Sequence, residues 1–146
     1  MILRFDEEGD GSEDEGTLYS LSTEYMEAAI VLHDTPPIRV KYSSVICYLL
    51  GHSAELALKS YLFDHGETPK SLKNIGHNLE RLVELARQRG LSARISLTST
   101  VELSPVYCAK GLEYRTRRRR AFPNETALIE EVQALLRAVF DHISDF

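Results

Sequence analysis

The sequence predicts an all-α fold, an antiparallel bundle of four to five helices, and three observations carry that prediction. Apolar residues recur at helical spacing in several separate blocks, the connections between blocks are short, and no convincing set of alternating strands is present. At 146 residues and 43% apolar content, the chain has material for one continuous core and one domain.

The elements follow in order. Residues 1–16 read as a flexible acidic tail, because the seven acids from Asp6 to Glu15 stand among Gly and Ser with no apolar periodicity. The domain then spans 17–146. A first helix is expected from Ser22 to about His33, capped by Ser22 or Thr23 and stopped by Thr35-Pro36-Pro37. The second, from about Val40 to His65, is apolar over most of its circumference and belongs at the centre of the bundle, with Gly66 as its stop. Gly51 inside it sacrifices about 1 kcal/mol of helix propensity and lets a neighbouring helix approach closely. A short turn over Lys70–Asn74 precedes a third helix from His77 to Arg89, with Leu79, Leu82, Val83 and Ala86 facing inward. The alternation in Arg94–Thr98 lacks a partner strand and reads as loop. A helix from about Ser99 to Lys110, bent near Pro105, and a last helix from Glu125 to Ile143 capped by Asn124 complete the chain.

Composition excludes several functional classes. No apolar run is long enough for a membrane span, and MILRF followed at once by acids is no secretory signal, so a cytoplasmic location is expected. Cys47 and Cys108 have no zinc-ligand spacing and read as reduced, packed thiols; neither a metal nor a cofactor is expected. Phosphate-loop, dinucleotide, serine-hydrolase and zincin motifs are absent. The formal charge of -5 is concentrated in the tail, and the rest of the chain is close to neutral. Its strongest positive feature is Arg115, Arg117, Arg118, Arg119 and Arg120. Such a run can hold RNA phosphates by forked contacts, with Tyr107 and Tyr114 as stacking surfaces for bases, or it can meet the acidic tail, another protein or water.

His52, Glu55 and Lys59 share one helical strip, and the Glu55–Lys59 spacing suits an i,i+4 ion pair. The plain explanation of the strip is the polar edge of an otherwise buried helix, with a site as the alternative; were it partly buried, Glu55 would require a partner such as Lys59 or an arginine from the third or a later helix. The block His52-Ser53-Ala54-Glu55-Leu56-Ala57-Leu58-Lys59, followed by Gly76-His77-Asn78-Leu79, resembles the paired central helices of the HEPN superfamily, with Glu113-Tyr114-Arg115 similar to a later element. The resemblance covers Tyr42 to Arg89. It implies a HEPN-like bundle that forms a homodimer, a nucleic-acid-linked role of toxin or defence type, and a nucleotidyltransferase-like protein as partner. HEPN ribonucleases carry an arginine followed after four to six residues by histidine, and Arg137 with His142 fits the shortest form. Histidine would move a proton at the ribose and arginine would stabilise phosphate charge without a metal. The pair is about 140° apart on one helix, so it can meet a phosphate only across a cleft; a boundary histidine and a surface arginine are the plain alternative. His77, at the head of the third helix, is the second candidate catalytic histidine, against a structural role at the helix start. Two functions stay open, a metal-independent endoribonuclease and a non-catalytic dimerisation or protein-interaction module.

Overall fold

The structure is a computed structural model that describes residues 14–36, 42–109 and 122–143. These form six α-helices and no strand: α1 Glu15–Asp34, α2 Ser43–Asp64, α3 Pro69–Ile75, α4 Leu79–Gln88, α5 Thr98–Cys108 and α6 Glu125–Ile143. None of them is long and apolar enough to cross a membrane.

Helix α1 starts seven residues before the expected Ser22. Asp14 caps it, its carboxylate accepting from the Thr17 amide at 2.7 Å. Two of the acids assigned to a flexible tail therefore belong to the helix start, and Ser60 Oγ of α2 donates to the Glu15 carbonyl at 2.6 Å. Ser22 is not a cap. It lies fully buried in mid-helix, where its hydroxyl donates to the Ser53 carbonyl at 2.6 Å and Ser53 Oγ donates back to the Ser22 carbonyl at 2.8 Å. Two small side chains with reciprocal hydrogen bonds let α1 and α2 pack closely while every donor is met.

Helix α2 is the axis of the bundle, packed by α1, α4, α5 and α6. Residues Ser53 to Leu62 are buried without interruption, so the second half of the helix is covered on all sides within one chain. The large apolar side chains exposed among the described residues are Val31, Val45 and Phe140. The remaining elements close around it. Thr68 caps α3 and Pro69 occupies its first turn. Asn78, not His77, caps α4, accepting from the Arg81 amide at 3.0 Å. Helix α5 has no side-chain cap of its own; the Glu131 carboxylate of α6 takes the Ser99 and Thr100 amides at 2.9 and 3.0 Å instead. Asn124 caps α6 as the sequence indicates.

The expectation of a wholly antiparallel arrangement needs correction. Contacts between the start of α1 and the end of α2 make that pair antiparallel, whereas α2 and α6 run parallel. Glu125 at the head of α6 accepts from Ser43 at the head of α2 at 2.9 Å, and His142 near the tail of α6 reaches Asp64 at the tail of α2. The chain between them returns through α3–α5, so α6 restarts at the end where α2 began. The thiols also differ from expectation: Cys47 is buried but Cys108 is exposed.

Candidate functional site

Glu55 stands on the buried face of α2, 3% exposed, with Lys59 one turn later at 4%. The Glu55–Lys59 part of the strip read as a polar edge is interior, with α4 and α5 packed on α2, while His52 is half-buried. Lys59 Nζ donates to Glu55 Oε2 at 2.8 Å; His77 Nδ1 and the Tyr107 hydroxyl donate to Oε1 at 2.8 and 2.7 Å. Tyr107 has one hydroxyl proton and gives it to the carboxylate. His52 Nδ1, 2.9 Å from that hydroxyl, is therefore its donor. The His52 ring lies edge-on to Tyr25 at 4.5 Å and stacked with Tyr48 at 5.8 Å.

Burial by itself pushes the Glu55 carboxyl up. The hydrogen bond from His77, the charge and hydrogen bond of Lys59 and the Tyr107 hydroxyl outweigh it and hold the group at about 2. The carboxylate is thus a fixed interior anion at neutral pH. It also sets the state of His77: a carboxylate only accepts, so Nδ1 carries the proton and Nε2 lies on the far side of the ring. The His77 side chain is 47% exposed, joining an interior anion to the surface.

Gly51 makes this arrangement possible. A Cβ there would lie 2.6 Å from Tyr107 Cδ1 and 2.8 Å from Cε1, so only glycine lets the Tyr107 ring lie flat enough on α2 for its hydroxyl to reach Glu55. The close approach anticipated at Gly51 is this contact with α5. Tyr107, read as a surface for stacking bases, is 5% exposed and serves the interior instead.

The other candidates are placed apart. Arg137 is exposed on α6 and makes no hydrogen bond or ion pair with His142. His142 joins a second cluster at the ends of α2 and α6: its Nε2 is 2.9 Å from Asp64 Oδ2, and its ring stacks on His65 at 4.3 Å and 14°. The arginines 115 and 117–120, with Tyr114, lie outside the described residues.

Glu55 and Lys59 were legible as a strip in sequence. Tyr107, 52 positions from Glu55, and Asp64, with 77 residues between it and His142, were not, since no local spacing links partners so distant. Comparison with known protein families, with characterised proteins and with solved structures gives no match.

Proposed function

We propose that this chain is a HEPN-like helical domain of nucleic-acid-linked function that cleaves RNA without a metal, with His77 rather than the Arg137–His142 pair moving the proton. The observation that carries this reading is the Glu55–His77 contact. A buried carboxylate, ionised at neutral pH, holds Nδ1–H at 2.8 Å and so orients a half-exposed ring whose other nitrogen can carry a proton. In the reaction Nε2 takes the proton of a ribose 2′-hydroxyl, the 2′-oxygen bonds to the adjacent phosphorus, and the 5′-oxygen leaves with a proton from water. The products are a 2′,3′-cyclic phosphate and a 5′-hydroxyl. Arg115 and Arg117–Arg120 dock the phosphates. The setting is cytoplasmic, as a homodimer with a nucleotidyltransferase-like protein as partner.

A second reading has its own support. The same four polar residues fasten α2 to α5 and to the turn before α4, which is what a non-catalytic interaction module needs from a specific polar core. Cleavage of a labelled single-stranded RNA by the purified chain in EDTA separates the two. On the catalytic reading the wild type cuts RNA but not the matching DNA, His77→Ala lowers the rate about 100-fold or more, and His142→Ala cuts normally. Uncut RNA with the wild type supports the interaction module. Loss on His142→Ala and Arg137→Ala, with His77→Ala active, returns the chemistry to the arginine–histidine pair.

A further inference from the structure

The cluster at the ends of α2 and α6 has a composition that the cleavage reading does not use. Asp64 is the last residue of α2, His65 its C-cap, and His142 the penultimate residue of α6. One ligand atom from each lies within 4.8 Å of the others, and all three residues are of intermediate burial, open enough for an ion to enter from solvent.

We propose that Asp64, His65 and His142 form a binding site for a divalent transition-metal ion, zinc first, with a fourth position left to water or to an exogenous ligand. The donor chemistry supports this at each residue. His65 Nδ1 is 2.8 Å from the Tyr61 carbonyl, which can only accept. The proton is therefore on Nδ1, and the lone pair is on Nε2, the tautomer and orientation that carbonyl-held histidines show at metals. His142 Nε2 already faces Asp64 Oδ2 at 2.9 Å. Around a tetrahedral zinc with bonds of about 2.0–2.1 Å, two donors stand about 3.3 Å apart. Seating the ion requires that pair to open by only a few tenths of an ångström. The near-parallel His65 and His142 rings, 4.3 Å apart and partly exposed, would need only a small rotation to bring a nitrogen of each onto the ion. Two histidines and one carboxylate match the donor set of zinc sites that keep an open position. The adjacent Arg89, which donates to the His65 carbonyl at 3.4 Å, is itself paired with Glu67 at 2.5 Å, so its charge is met locally.

The consequence is a clip. The ion ties the C-terminal ends of the two parallel helices, α2 and α6, whose heads are already joined through Glu125 and Ser43. Glu55 and Asp64 are nine positions apart on α2, about 14 Å along the helix. The site is therefore independent of the cleavage reading, and EDTA resistance of RNA cleavage neither supports nor harms it.

The test uses the untagged full chain, stripped with EDTA and titrated with Zn2+ by calorimetry and with Co2+ by visible absorption. One equivalent should bind, Co2+ should give the intense bands of a four-coordinate site, and the thermal midpoint should rise with Zn2+ and return with EDTA. Asp64→Ala, His65→Ala and His142→Ala should each weaken Zn2+ at least tenfold, while His33→Ala, at the opposite end of the bundle, should not. The wild-type midpoint and cobalt spectrum decide the matter even where a variant folds poorly. A cobalt spectrum of six-coordinate type with no shift in midpoint overturns the site, as does tight binding that survives the three substitutions.

Discussion

Gly51→Ala should destabilise the protein, although helix propensity predicts the reverse. In an exposed helix the substitution would add about 1 kcal/mol. Here the new methyl would stand 2.6 and 2.8 Å from the Tyr107 ring, closer than real Cβ atoms come to a neighbour, and a tight 3.1 Å from Leu103 Cδ2. Tyr107 cannot swing aside cheaply, because it is 5% exposed and its hydroxyl is held between Glu55 and His52 at 2.7 and 2.9 Å. Overpacking of this kind costs about 1–3 kcal/mol, and breaking the hydrogen bond to a charged acceptor adds about 1.5–3 kcal/mol. Against the propensity gain, the net loss is about 1.5–5 kcal/mol. Urea unfolding of the wild type and of Gly51→Ala measures it. Tyr107→Leu, which removes the hydroxyl and most of the clashing ring, completes the cycle: Gly51→Ala should be far less harmful in the Tyr107→Leu background than in the wild type. A neutral or stabilising Gly51→Ala, or strict additivity in the cycle, would refute the reasoning that α2 and α5 meet through this glycine.

Further outcomes concern charge, capping and thiols. The Glu55 carboxyl, held at about 2 in the fold against an ordinary 4.5, binds fewer protons folded than unfolded between those values. Its stabilisation is complete above the unfolded value and lost as pH falls through the folded one. Urea midpoints should therefore drop more steeply with acid for the wild type than for Glu55→Gln from about pH 5 to about pH 2, and parallel curves would dismiss the buried anion. Asp14→Ala should cost about 1 kcal/mol through loss of the cap on α1, whereas a wholly dispensable tail predicts no change; thermal unfolding distinguishes them. Burial, aided by the charge of Glu125, pushes the Cys47 thiol up to about 12. Disulfide reagent should label exposed Cys108 quickly in the folded protein and Cys47 only on unfolding, with two fast thiols as the contrary result.

What the sequence determined by itself was local. Helical periodicity in Leu79, Leu82, Val83 and Ala86, the Asn124 cap and the Gly66 stop located helices because each of those signals acts within a turn or two of the chain. It also placed Glu55 and Lys59 on one strip, since their spacing is a property of the helix alone. The start of α1 was missed because acids that read as tail composition include Asp14, whose role as a cap depends on a helix already packed against Ser60. Tertiary structure alone decided that Glu55 and Lys59 are interior, that Tyr107 turns inward to Glu55, and that α2 and α6 run parallel. It also decided that His142 meets Asp64 and His65 instead of Arg137. The physical reason is common to all four. Which face of an apolar helix is covered, and by what, follows from how helices distant in sequence share one core, and that competition leaves no trace in the spacing of residues within any one of them.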